Sequence, residues 1–238
     1  MAIQTRLFDY YHDDLKLVAE MAWDDALEAR PGVLVAPTWA GRTAFEGDKA
    51  RMLAELGYVG IAIDMYGNGQ TGSGADECSA LMTSVVSDRA KLQARMAAAV
   101  TAARGLPETS SGPLAAIGFC FGGLCVLDLA RSGGDVAGVV SFHGILSAPD
   151  NLKEPQIAAR VMVLHGYDDP MADPNAMRSF CDEMTRSGCD WQLHAYGQTT
   201  HAFTNPNAND PDFGTVYSAR AADRSFASMR SFLAEVLS

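Results

Sequence analysis

The stretch Ala115–Gly123, AAIGFCFGG, decides how the rest of the sequence is interpreted. An apolar run leads into Gly118, Cys120 follows between two phenylalanines, and a glycine pair comes directly after the second of them. This order predicts a buried strand, a tight turn at Cys120 and a helix that begins at Phe121. A cysteine in such a turn is either a nucleophile or a small buried apolar residue, and only its partners elsewhere in the chain can decide between the two.

Apolar strands alternate with helical patterns along the whole chain. Solid apolar runs such as GVLVA (32–36) and VMVL (161–164) are typical of strands that are covered on both faces. The alternation predicts an α/β fold with a mostly parallel central sheet and helices on both faces. A length of 238 residues fits one such domain, spanning 1–238.

Four further segments complete this prediction. LVAEMAW (17–23) alternates and predicts an edge strand, and residues 79–105 predict one long helix. The last helix is expected from about Val216 to Leu237. The segment 145–157 between two strands is too short to hold a lid domain.

Composition excludes several classes of partner. A formal net charge of −11 repels phosphate backbones and anionic lipids, so neither nucleic acid nor a membrane is an expected partner. The five cysteines have irregular spacing and form no C-x-x-C pair, which favours free thiols and no metal site. The N-terminal sequence MAIQTRLFDYYHDD lacks the apolar segment of a signal peptide, so we expect a cytoplasmic protein.

Three chemically active side chains follow three predicted strands. Cys120 comes after AAIGF, Asp169 after VMVLHG, and His201 after WQLHAYG. Ligands of parallel α/β sheets bind at the carboxyl ends of the strands, so these residues should meet there. The order nucleophile, acid, histidine is that of the α/β-hydrolase fold.

Each residue of this set has a distinct chemical task. The positive end of the helix that begins at Phe121 favours a thiolate at Cys120. His201 can accept the thiol proton and return it to a leaving group, while Asp169 holds the imidazole in one tautomer. The backbone N–H groups of Phe121 and Trp39 are the expected donors to an oxyanion.

The motifs GFCFGG, HGYDDP and THAF, in this order and each after a strand, resemble the dienelactone hydrolase family. The resemblance runs from GVLVAPTWAG to the C-terminal helix. It implies a triad of Cys120, Asp169 and His201, and an oxyanion loop at Thr38–Gly41. It also implies hydrolysis of esters or lactones through an acyl-thioester, without a cofactor. Separately from the resemblance, we expect no metal and either a monomer or a small homo-oligomer.

This sequence departs from the best-known members of that family at two positions. Thr38 stands where those members carry a glutamate, and Asn205 stands where they carry an arginine that holds the substrate carboxylate. We therefore expect a preference for neutral, apolar acyl groups. The residues expected to contact the substrate are Thr38, Phe119, His143, Met171, Phe203 and Asn205.

Two other functions share the same motifs. An acyltransferase would form the same acyl-enzyme and pass it to an alcohol or amine, and a ligand-binding or thiol-sensing protein would carry a modifiable Cys120 without turnover. The sequence GNGQTG (67–72) matches G-x-G-x-x-G, but it does not open a helix at once. It predicts a loop at the rim of the site rather than a dinucleotide-binding turn.

Overall fold

Eight strands form one sheet in a computed structural model that describes residues 2–153 and 156–238. The strand order is β1-β2-β4-β3-β5-β6-β7-β8, and β9 and β10 form a separate short hairpin. The strands are β1 (Ile3–His12), β2 (Leu15–Asp24), β3 (Gly32–Ala36), β4 (Val59–Ala62), β5 (Ala115–Phe119), β6 (Gly138–Phe142), β7 (Arg160–Gly166), β8 (Trp191–Tyr196), β9 (Asn209–Asp210) and β10 (Thr215–Val216). The helices are α1 (Ala44–Glu55), α2 (Ala75–Val86), α3 (Arg89–Arg104), α4 (Phe121–Arg131), α5 (Pro174–Arg186) and α6 (Ala219–Val236).

The sheet is parallel from β4 to β8 and antiparallel only where β2 meets β1 and β4. Every residue of β3, β5 and β6 is buried, as expected for strands that helices cover on both faces. The predicted α/β architecture is confirmed. The carboxyl ends of β3, β5, β7 and β8 lie along one edge of the sheet, which is where the candidate site forms.

Helices cover both faces of this sheet. Leu53 of α1 and Phe232 of α6 pack with Phe119 on one face, while Leu92 of α3 and Phe180 of α5 belong to the core on the other. The connection between β6 and β7 contains no helix or strand among its described residues. No helix in the described ranges is both long and apolar enough to cross a membrane.

Three details of the predicted elements are wrong. LVAEMAW lies in β2, which is not an edge strand, because all ten residues of β1 pair along its outer side. The predicted long helix is two helices: Asp88 has an extended backbone, and its carboxylate accepts a hydrogen bond from the N–H of Lys91 and starts α3. The last helix begins at Ala219, after a Ser218 cap, because Thr215 and Val216 pair with β9.

Candidate active site

Cys120 lies in a strained turn between β5 and α4. Its backbone has φ 56° and ψ −115°, a conformation that residues with a Cβ rarely adopt. Its N–H lies 3.1 Å from the carbonyl oxygen of Phe142 and 3.2 Å from Nδ1 of His143. Residues at the end of the neighbouring strand β6 thus hold the turn in place.

Glycines around Cys120 let three backbones approach each other closely. A Cβ on Gly118 would lie 2.0 Å from the carbonyl oxygen of Gly122, and one on Gly122 would lie 2.2 Å from that of Ala36. A side chain at either position would push α4 away from β5 or from the end of β3. The two glycines therefore allow the start of α4 to pack closely against both β5 and the end of β3.

The loops after β7 and β8 bring Asp169 and His201 together. The N–H of Asp168 donates to the carbonyl of Thr199 at 3.0 Å, and a Cβ on Gly166 would lie 2.4 Å from the same oxygen. Asp169 Oδ2 lies 2.8 Å from His201 Nδ1, and Asp169 Oδ1 accepts the N–H of Met171 at 2.8 Å. The buried carboxylate is thereby fixed on both oxygens and orients the imidazole.

The electrostatic balance at His201 favours the imidazolium. Burial lowers the pKa of this ring, but the charge of the Cys120 thiolate and the hydrogen bond to Asp169 outweigh burial and raise it to about 10. Nε2 of His201 makes no well-aligned hydrogen bond to any described residue, although the sulfur is near enough for its charge to act. Such contacts are commonly loose without substrate and tighten in the reacting complex.

His143 is a neutral buried histidine beside this pair. Burial, followed by the neighbouring His201, lowers its pKa well below the ordinary value. Since Nδ1 accepts the N–H of Cys120, Nε2 carries the proton and donates to Thr204 Oγ1 at 2.8 Å. His201 packs edge-on against the same ring at 5.1 Å between centroids, so His143 contacts both residues of the candidate pair.

Two backbone N–H groups are free to face a developing oxyanion. The N–H groups of Trp39 and Phe121 donate to no carbonyl or side chain within the described chain. Phe121 is the first residue of α4, where helix geometry supplies no acceptor. Oxyanion holes of acyl-transfer enzymes are built from such unoccupied donors.

A cavity of about 710 Å³ opens over Cys120 and His201. Its lining includes five of the other residues that the sequence predicted at the site, which are Thr38, Trp39, His143, Met171 and Asn205. It also includes residues that the sequence did not indicate, which are Phe45, Met82, Ile145, Asp210 and Phe213. Phe45 lies at the start of α1, Met82 on α2, Asp210 in the short strand β9, and Ile145 and Phe213 in loops, and none of these places carries a pattern that would mark the residue in a sequence.

The expectation that Phe119 and Phe203 contact the substrate is corrected. Both side chains are 0% exposed and neither lines the cavity. Phe119 stacks on Phe142 at 4.7 Å and Phe203 packs edge-on against His143 at 5.2 Å. Both rings therefore support the site indirectly, by packing against His143 and the core.

No arginine or lysine is among the described residues that line the cavity, and Asp210 is the one carboxylate among them. Two arginines outside the lining, Arg42 and Arg89, are engaged elsewhere. Arg42 donates to the carbonyl of Val18 and pairs with Glu20, and Arg89 pairs with Asp128 at 2.6 Å. Among the described residues, His201 is therefore the one lining side chain that could neutralise a substrate carboxylate.

Comparison with known proteins places this chain among hydrolases. The sequence model of the dienelactone hydrolase family matches residues 19–237. A dienelactone hydrolase-like, promiscuous phosphotriesterase from metagenomic libraries has a crystal structure with a TM-score of 0.94 and 35% identity, each chain being covered over 100% of its length.

Two sequence relatives extend the comparison. An uncharacterized protein of Caenorhabditis elegans is 34% identical over 155 residues, which are 63% of this chain and 98% of that protein. A Bradyrhizobium protein named as a probable 2-oxo-3-(5-oxofuran-2-ylidene)propanoate lactonase is 28% identical over 184 residues, 73% of each chain.

Proposed function

The chain belongs to the dienelactone hydrolase family and is a carboxylic ester hydrolase, and from this premise we propose that it cleaves esters or lactones through an acyl-thioester on Cys120. The observation that carries the proposal is the arrangement around the cavity. The strained Cys120, His201 and Trp39 line one cavity, and Asp169 holds His201 at 2.8 Å. The backbone N–H groups of Trp39 and of Phe121, the residue after Cys120, are unoccupied in the described chain.

The first half of the reaction uses each of these groups once. The thiolate of Cys120 attacks the ester carbonyl carbon, an S–C bond forms, and the carbonyl oxygen takes the negative charge. The N–H groups of Trp39 and Phe121 hydrogen-bond to that oxygen. The intermediate collapses with cleavage of the C–O bond, and the imidazolium of His201 gives its proton to the departing alcohol.

The second half regenerates the enzyme. Neutral His201 accepts a proton from water, the resulting hydroxide adds to the thioester carbonyl, and the C–S bond breaks. Cys120 leaves as thiolate beside the imidazolium, and the acid is released. Asp169 keeps the imidazole oriented through both halves.

Activated esters and lactones are the substrates that test this proposal. We expect turnover of p-nitrophenyl acetate and of an enol lactone, and slow reaction with simple alkyl esters and amides. Product analysis should show the free acid; acyl transfer to an added alcohol in preference to water would favour the acyltransferase alternative. Alkylation of Cys120 by iodoacetamide in a protein that turns over none of these substrates would identify a thiol sensor instead.

A second candidate reaction is hydrolysis of neutral phosphotriesters. The observation that favours it is the largely apolar cavity, whose described lining contains no arginine or lysine, which suits an uncharged triester. In this reaction the thiolate would form an S–P bond and expel a phenolate, and water would then cleave that bond. Release of p-nitrophenol from paraoxon beyond one equivalent per Cys120 tests it, since a single equivalent would mean inhibition only.

The acyl group should be neutral and apolar. Burying a carboxylate without a cationic partner is costly, and the cavity offers a neutral Asn205 and the carboxylate of Asp210. Of two matched p-nitrophenyl esters, one ending in a carboxylate and the other in its methyl ester, the neutral one should have the higher kcat/KM by about tenfold or more. Equal values, or a preference for the anionic ester, would contradict this prediction.

A further inference from the structure

The loop that carries the Trp39 N–H is a turn held by several hydrogen bonds to its other backbone groups. The N–H of Thr38 donates to Glu46 Oε1 at 2.9 Å, and the carbonyl of Thr38 accepts the N–H of Gly41 at 3.0 Å. Gly72 donates its N–H to the carbonyl of Ala40 at 3.0 Å. The orientation of the free N–H of Trp39 is therefore set by the groups that hold this turn.

Tyr66 contacts both residues that supply the candidate oxyanion donors. Its hydroxyl donates to the carbonyl oxygen of Trp39 at 2.8 Å. Its ring stacks on Phe121, with centroids 5.9 Å apart and an interplanar angle of 14°. The Tyr66 ring also lies against Gly41, where an added Cβ would meet it at 3.1 Å. One side chain thus packs between the loop after β3 and the first turn of α4.

Asp64 fixes the position of Tyr66. Its carboxylate is 0% exposed and accepts the N–H groups of Tyr66 at 2.8 Å, Gly67 at 2.9 Å, Gly69 at 2.7 Å and Val18 at 3.1 Å. These bonds tie the predicted rim loop GNGQTG to β2 and hold it beside the turn. The sequence pattern suggested only a loop there, whereas the structure shows a tightly bonded support.

We propose that Tyr66 is a positioning residue that sets the distance and direction of the Trp39 and Phe121 N–H groups toward the oxyanion. This inference rests on the proposed function, because it concerns the same site. Burial raises the pKa of the Tyr66 phenol well above its ordinary value, so the hydroxyl remains a donor throughout any practical assay range.

The variant Tyr66→Phe removes the hydroxyl and leaves the ring stack. With p-nitrophenyl acetate we expect kcat to fall about tenfold, with little change in KM, because misplaced oxyanion donors weaken binding of the transition state but not of the substrate. Alkylation of Cys120 by iodoacetamide forms no oxyanion. Its rate should therefore stay within about twofold of the wild-type rate, whereas damage to the Cys120–His201 pair would slow both reactions.

Tyr10→Phe is the matched control. Tyr10 is also buried, and its hydroxyl donates to a backbone carbonyl of the same region, but to that of Asp64 rather than to the turn, and its ring packs beside Phe8 of β1. The Tyr10→Phe variant should lose about as much thermal stability as Tyr66→Phe, while its kcat stays within about twofold of the wild-type value. Most substitutions away from the reacting groups affect stability rather than the chemical step.

The outcomes separate this inference from the proposed function. An active wild type beside an equally active Tyr66→Phe variant would overturn the positioning role alone, as would equal losses of hydrolysis and alkylation. A matching loss of kcat in Tyr10→Phe would also overturn it, because general destabilisation would then explain the result. A wild type that hydrolyses no ester would overturn the proposed function and this inference with it.

Discussion

Replacement of Cys120 by alanine is expected to lower kcat/KM for an activated ester at least about 10,000-fold, close to the rate without enzyme. The methyl group cannot attack a carbonyl, and none of the other cysteines can substitute for it. Cys125 is fully buried in α4, and Cys78 is buried behind Gly72. The measurement is steady-state hydrolysis of p-nitrophenyl acetate by wild type and variant at equal concentration.

Cys181→Ala is the control for this experiment. Cys181 lies on α5, is partly exposed and is not among the residues that line the cavity. Its removal should leave kcat/KM within about twofold, since surface changes away from the site have small effects. Retention of more than a few per cent of activity by Cys120→Ala, or a comparable loss in Cys181→Ala, would reject Cys120 as the nucleophile.

The sequence could predict the candidate site where chemistry follows directly from topology. Cys120 comes directly after β5, and Asp169 and His201 lie in the loops that follow β7 and β8, so the parallel strands bring all three to one edge of the sheet. The role of Gly118 and Gly122 could also be predicted, because a strained turn needs small neighbours. In the structure, Cys120 and His201 line the cavity, and Asp169 lies behind His201 and is hydrogen-bonded to it.

The parts that the sequence missed depend on contacts between distant segments. Tyr10 is the one buried side chain of β1, so this segment shows no alternating apolar pattern that would predict a strand. It becomes a strand through its pairing with β2. Phe119 was expected to contact the substrate, but the alternation of side chains along β5 turns it toward α6 instead. Tyr66 bonds to Trp39 across 27 residues of sequence, and Glu46 bonds to Thr38 across eight. Both bonds support the turn at Trp39, and no local sequence motif predicts either of them.

Asp169→Asn should lower kcat/KM about 1,000- to 10,000-fold while leaving the fold intact. The asparagine has nearly the same shape, but its amide carries no charge, and it can present an N–H to His201 in place of an acceptor. The imidazole would then favour the tautomer with its proton on the wrong nitrogen. Asp168→Asn is the control: its carboxylate is the chain neighbour of Asp169 but is exposed to solvent, so the activity should stay within about twofold.

The pH dependence of kcat/KM gives this prediction a second, independent measurement. Burial lowers the pKa of His201, whereas the Cys120 thiolate and Asp169 raise it to a net value of about 10. The imidazolium needed to protonate the leaving group is thus present below that value and is lost as the pH rises through it. With spontaneous hydrolysis subtracted at each pH, wild-type activity should fall only near pH 10.

Removing the negative charge at Asp169 takes away part of what raises this pKa, so the alkaline limb of Asp169→Asn should move to lower pH. Stability follows the same sign. A histidine whose folded pKa is raised stabilises the fold fully below its ordinary pKa of about 6.5, and that contribution disappears as the pH rises through the folded value. The variant should therefore lose more stability at pH 6 than at pH 10. An unshifted alkaline limb, with activity within tenfold of wild type, would mean that another group orients His201, and the 2.8 Å contact to Asp169 would then be structural only.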